Sequence, residues 1–225
     1  MEQRLWHGLS VTSHYTWAKL IDAAGPGQDM YNRRAERGLA DTDIRHNFIA
    51  GYVYDLPVGK GRAMDLNNGV ANAVLGGWQL NGIANMRTGA NYTIGTVGDI
   101  ANVATGGQRA NTTGAAPSKL DPRTSGLLGL DRSAYVLPAR GSFGNLSRNT
   151  QPGFGINNWD MSAAKNFGVP FLGEAGRLQL RFEWFNVFNH TQFVNPNATF
   201  NTPTFGLVTS AFDPRILQIA GRLHW

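Results

Sequence analysis

Ile216-Leu217-Gln218-Ile219-Ala220-Gly221-Arg222-Leu223-His224-Trp225 closes the chain, and its reading decides the fold. Leu217, Ile219, Gly221, Leu223 and Trp225 share one parity; Gln218, Ala220, Arg222 and His224 share the other. Successive side chains of a strand project to opposite faces, so the stretch predicts a strand with one apolar and one polar face. The apolar row finishes on Trp at the last residue. Two architectures contain such a strand: the sheet of a soluble domain, and the closing strand of an outer-membrane barrel, with a lipid-facing row and an aromatic at the interface. The rest of the chain must choose between them.

The same period of two recurs upstream. Leu9, Val11, Tyr15 and Trp17 alternate with Ser10, Thr12, His14 and Thr16 over Leu9–Trp17. Phe48, Ala50, Tyr52, Tyr54 and Leu56 oppose Asn47, Ile49, Gly51, Val53 and Asp55, and Pro57 stops the run because it cannot donate to a ladder. A third strand is expected from about Val74, with Trp78, Leu80, Gly82, Ala84 and Met86 on one face, continuing past Gly89 through Tyr92 and Ile94. Trp159, Met161 and Ala163 lie opposite Asn158, Asp160 and Ser162 in a fourth, Asn157–Phe167. Lys165 falls on its apolar parity, a misfit that snorkelling of the ammonium to an interface would relieve. Leu178, Leu180, Phe182 and Trp184 oppose Gln179, Arg181 and Glu183 in the fifth. The sixth runs from about Val208 to Trp225, kinked or bulged at Pro214.

The connections are asymmetric. If the last strand ends at the periplasm, the long segments 21–43, 95–156 and 190–205 are extracellular, and the shorter 57–73 and 168–176 are periplasmic, the pattern of an outer-membrane barrel. The segment from Gly95 to Ile156 is rich in Gly, Asn, Thr, Ser and Pro, reads as a connection of low regularity, and is too long for a compact soluble domain. Composition agrees: 28 Gly and only 16% charged residues, below the roughly 25% of soluble domains. The expected fold is therefore all-β: an antiparallel up-and-down transmembrane β-barrel segment of six strands with long extracellular loops, in the outer membrane of a Gram-negative-type bacterium. Six strands fall short of the smallest barrels, so the chain alone should be an open curved sheet with two unpaired edges. A soluble β-sandwich, with the apolar rows packed sheet on sheet, is the main rival.

Little chemistry is visible. The chain has no cysteine, which removes disulfides and thiolate sites. His7, His14, His46, His190 and His224 stand in no G-x-S-x-G or H-E-x-x-H motif, so no catalytic residue, metal site or cofactor site is assigned, and an outer-membrane hydrolase is the weakest alternative. The turn Pro57–Arg62 lacks the spacing of a phosphate loop. The net charge of +5 is spread singly, with Arg33-Arg34 the one adjacent pair, so no nucleic-acid stripe is present. Asp160, Arg181 and Glu183 are the lumen-facing polar candidates, expected to neutralise one another in one network. Leu217, Ile219, Leu223 and Trp225 are the barrel-closing signature. Asn189 and Asn197, although in N-x-[ST] triplets, are expected to serve turns.

Several blocks carry a resemblance. Asp43-Ile44-Arg45-His46-Asn47-Phe48 leading to Tyr54-Asp55-Leu56-Pro57-Val58-Gly59-Lys60-Gly61-Arg62 is similar to the Oar-like TonB-dependent receptors, as are Gly76-Gly77-Trp78-Gln79-Leu80, Arg87-Thr88-Gly89 and Gly141-Ser142-Phe143-Gly144-Asn145. Arg181-Phe182-Glu183-Trp184-Phe185-Asn186-Val187-Phe188-Asn189-His190 with Gln192-Phe193 and Pro196-Asn197, then Phe205-Gly206, Asp213-Pro214-Arg215 and the closing strand complete the set. The resemblance implies a barrel of about 22 strands with a plugged lumen, of which residues 1–225 would be the C-terminal part, about a quarter. The plug, the N-terminal regulatory-like domain and the TonB box of that family have no counterpart in the sequence, so gating is assigned to no residue. The partners implied are outer-membrane lipid, the barrel-assembly machinery, the remainder of the same receptor, TonB acting through the plug, and an extracellular ligand.

Overall fold

The computed structural model describes residues 2–5, 8–23, 25, 27–104, 106–115, 119–173 and 176–225, with the side chains of 2–5 and 172 outside the description. One antiparallel meander dominates it: β1 (Glu2–Leu5), β2 (Leu9–Trp17), β3 (His46–Asp55), β4 (Trp78–Arg87), β5 (Ile156–Gly168), β6 (Arg177–Phe185) and β7 (Ile216–His224), hydrogen-bonded in chain order. The sheet is open, with β1 and β7 as its edges. Six long strands match the alternating segments; β1 is a four-residue addition, too short to show a period.

The register carries the pattern across the sheet. Leu9 is paired with Tyr54, Tyr54 with Leu80, Leu80 with Ala163, Ala163 with Phe182 and Phe182 with Ile219. The row beside it runs Val11, Tyr52, Gly82, Met161, Trp184, Leu217. A slip of one residue in any pair would turn that strand's apolar set to the other face, so the alignment ties all six apolar rows to one side. No second sheet covers that side among the described residues, which removes the sandwich. Leu217 stays 64% exposed, Ile219 73% and Trp225 84%.

Four boundaries differ from expectation. Val74 lies in a short helix, α1 (Gly69–Leu75), because Asn68 caps the amides of Val70 and Ala71 and sets the turn. The third strand ends at Arg87; Asn91-Tyr92 pairs instead with Gln151-Pro152, and Ile94 is fully buried in a loop core. The last strand starts at Ile216, so Pro214 precedes it and bends no ladder, and Val208 is buried among the loops. The segment 95–156 is the largest surprise. It is packed rather than irregular, and it holds most of the hydrophobic core.

Lys165 is also resolved differently. Its ammonium stays on the apolar side and donates to the carbonyls of Ala73, at 2.5 Å, and Asn72, at 3.4 Å, in the last turn of α1. A cation there meets the negative end of the helix and its unsatisfied carbonyls. The neighbouring Trp78 indole donates to Val74 O at 2.8 Å. The charge on the apolar row is satisfied by the helix and does not need to reach water.

Candidate ligand-facing cap and inner-wall cleft

Three long connections leave the same end of the sheet, the end of Trp17, Arg87 and Phe185, and fuse into one cap. Ile94, Ala110, Leu130, Ala134, Tyr135, Leu146, Phe200 and Phe205 form its core, drawn from the second and third connections. Tyr135, Phe200 and Phe205 meet in a ring cluster with centroids 5.2–6.3 Å apart, two of the three pairs edge-on, as ring quadrupoles prefer. The Arg132 guanidinium lies 4.7 Å from the Phe200 centroid. Burial, with Asp131 nearby, pushes the Tyr135 phenol up to about 12.

The first connection is locked to the second by a buried ion pair. Arg109 Nη1 lies 2.6 Å from Glu36 Oε2, Nη2 lies 3.1 Å from Oε1, and Nε donates to Leu146 O at 2.7 Å. The bidentate geometry suits a guanidinium facing a carboxylate. Gln28 completes it: its amide donates to Glu36 Oε1, its side-chain nitrogen to Gly144 O, and its oxygen accepts from Arg109 N. Glu36 and Arg109 are both almost fully buried. Burial alone would raise the Glu36 carboxyl, but the Arg109 hydrogen bonds and charge outweigh it and hold the group below its ordinary 4.5.

Gly144 belongs to one of the blocks quoted for resemblance, and its reason is steric. A Cβ there would overlap the Arg109 carbonyl, which cannot move without disturbing the ion pair. Gly144→Ala should therefore destabilise the cap by about 1–3 kcal/mol, read as a lower urea midpoint in the folded barrel, with the sheet's transition unchanged. Gly89 has the same role, because backbone of Gly153 and Phe154 occupies the space of a side chain.

Below the cap, the polar face of β4–β7 and the third connection enclose a cleft of about 550 Å³. Asn85, Asn158, Asp160, Asn186, Gln192 and Gln218 supply its polar lining; Phe185 and Phe212 supply aromatic surface. Asp160 faces it but does not join Arg181 and Glu183. Its Oδ1 accepts from Asn158 Nδ2 at 2.9 Å and from the Asn186 amide at 2.8 Å, anchoring the start of the third connection. Arg181 and Glu183 are two residues apart on the same strand face and meet at 3.5 Å, Arg181 exposed and Glu183 partly buried. The register separates the groups, since β5 places Ser162, not Asp160, opposite Glu183. The expected three-residue network is instead a half-exposed pair and a separate anchor.

Asn186 and Asn189 both adopt positive φ, at 51° and 52°, where Asn is tolerated best after Gly. Asn186 bonds the amide and carbonyl of His190, and Asn189 Oδ1 accepts from Arg215 N. Asn197 Oδ1 accepts from Thr199 N and its amide donates to Thr202 and Thr204, so it too serves a turn. His14, His46, His190 and His224 stand on separate elements, with His46 bonded to Tyr15 Oη at 2.8 Å; His7 lies outside the described residues. No cluster of three or more His, Asp or Glu able to hold a metal occurs among the described residues.

Glu36, Arg109 and Gln28 were not picked out by the sequence. They are 73 and 81 residues apart across two connections, and no spacing rule links them.

An exposed apolar face on an antiparallel meander, a cap on one end and shorter connections at the other are the features of an outer-membrane barrel wall. A family model described as an outer membrane beta barrel domain matches residues 1–218, and the chain belongs to that family. Its location is the outer membrane and its apolar face is the lipid face, since only closed barrels or helices satisfy backbone groups within a bilayer. No curated protein and no solved structure matches the chain.

Proposed function

We propose that the chain is part of the wall and the ligand-facing loops of a TonB-dependent transport receptor of the Oar-like type, whose lumen is filled by a plug. The polar face carries this reading, because it is built to be covered. Ile49, Val53 and Ile83 form an apolar island around Gly51 on that face, and each is 38–56% exposed. A water-filled channel gains nothing from such an island. A packed lumenal domain would bury it.

On this reading the cap is extracellular and contacts ligand, the cleft beneath it receives ligand or plug, and the chain performs no bond-making step itself. Barrel-assembly machinery would engage the last strand, and TonB would act through the plug. In the full-length protein, a maleimide at Ile83→Cys should react far more slowly than one at the exposed Asp41→Cys. The same protein in a planar bilayer should show no steady open-channel conductance. Rapid modification of residue 83 together with an ohmic open channel would mean an unplugged pore and overturn the proposal.

A further inference from the structure

We infer that α1 with the turn before it is a lipid foothold, resting on the phospholipid leaflet at the tight-turn end of the barrel. Val70, Ala73 and Val74 fall on one helix face by their three- and four-residue spacing, while Ala71 and Asn72 turn inward. Val70 is 75% exposed and Val74 59%, and Leu75 is more than half exposed beside them. No charged residue lies within the helix. Among the described residues this apolar surface stays exposed, and three observations point to lipid there.

The first is attachment. Lys165 and Trp78 are on the lipid-facing parity, directly opposite one another in the register, and both grip the last turn of α1. The helix is thereby held over the outer side of the wall, continuous with the apolar rows. The second is depth. Trp78 and Phe167, with the exposed Phe171 and Trp225, place aromatic rings at this end of the sheet, where barrels carry an interfacial girdle. The third is charge. Lys60 and Arg62 are exposed in the turn that bonds back to the helix through Lys60 N and Asn72 Oδ1, at 2.8 Å. Apolar residues on one side and cations beside them suit the acyl boundary and the phosphates of a phospholipid surface. A clamped helix also explains how the wall keeps a lysine on its lipid side.

The inference uses the outer-membrane placement of the family; that this leaflet is the periplasmic one rests on the orientation in the proposed function. The two are separated experimentally. The full-length protein, carrying an environment-sensitive fluorophore at Val74→Cys or at Val70→Cys, is reconstituted into phospholipid nanodiscs, with heat-shifted gel mobility confirming folding. Lipids spin-labelled near the headgroup should quench either probe at least about twofold more strongly than one at Asp41→Cys, while aqueous iodide shows the reverse order. Iodide quenching of both helix probes equal to that at residue 41, with no response to spin-labelled lipid, would overturn the foothold. Thiol labelling in intact cells, reaching residue 41 but not residue 74, reports orientation alone. If both were labelled, orientation would fail and the lipid contact would still stand or fall on the quenching.

Discussion

Replacing Arg109 by Met should loosen the cap by about 3–5 kcal/mol, because Glu36 would be left as a buried carboxylate without its counter-ion. In hydrogen exchange, the segments carrying Ile94, Ala110 and Leu146 would lose about a hundredfold to several-thousandfold of their protection, since each 1.4 kcal/mol is a factor of ten. The sheet amides, paired strand to strand, would keep theirs. A double replacement, Glu36→Leu with Arg109→Met, should recover part of the loss: the stranded charge is gone, although the bonds from Arg109 Nε to Leu146 O and from the Gln28 amide to Glu36 Oε1 go with it. Equal protection in the wild type and Arg109→Met would show that the pair does not hold the loops together.

The pH dependence separates the single variant from a simple packing defect. In the wild type Glu36 titrates below its ordinary 4.5, so its contribution is complete above that value and drains away as the pH falls through the lower, folded one. In Arg109→Met burial still raises the carboxyl while the Gln28 amide and the Arg33 charge still lower it, and the loss of Arg109 raises its affinity for a proton. Acidification then neutralises the stranded charge and relieves the penalty. Cap protection should fall with acid in the wild type and recover with acid in the variant, after correction for intrinsic exchange. Parallel pH curves would rule out the electrostatic account.

The sheet was legible in the sequence because its information is local. A period of two over nine or ten residues, as in Leu9–Trp17, assigns every side chain to a face without knowledge of the partner strand, and the observed register repeats that assignment row by row. Pro57 marked the right boundary for the same reason. The cap was not legible. Arg109 finds Glu36, Gly95 finds Thr199 and Gly129 finds Gly206 across tens of residues and through loops without a period. What the sequence did show of the cap was composition: glycines where backbones touch, as at Gly144, and asparagines at positive φ, as at Asn186. Lys165 is instructive between the two. Parity placed it correctly on the apolar face, and only the helix formed by residues 69–75 accounts for it. The cleft was half visible: Asp160 was placed on the right face, but its partner is the Asn186 amide, which only the turn after β6 brings near.

Ile219 offers the sharpest test of which face meets lipid. It lies mid-strand in β7, in the row of Phe182 and Ala163, and is 73% exposed. A guanidinium near the bilayer midplane of a barrel costs about 2–4 kcal/mol, against about 0–1 kcal/mol near the interfaces. Ile219→Arg in the full-length barrel should therefore lower folding stability by that larger amount, measured as the urea midpoint in lipid vesicles. Gln218→Arg, one residue earlier and on the polar face beside Glu183, should be nearly neutral because its charge enters the lumen next to a carboxylate. Leu223→Arg, one residue before the end of β7, should fall between the two, since the side chain can reach the interface. The order Ile219, Leu223, Gln218 follows from parity and depth together. If Gln218→Arg proved as damaging as Ile219→Arg, the two faces would be exchanged, and every row from Leu9 to Ile219 would have to turn with them.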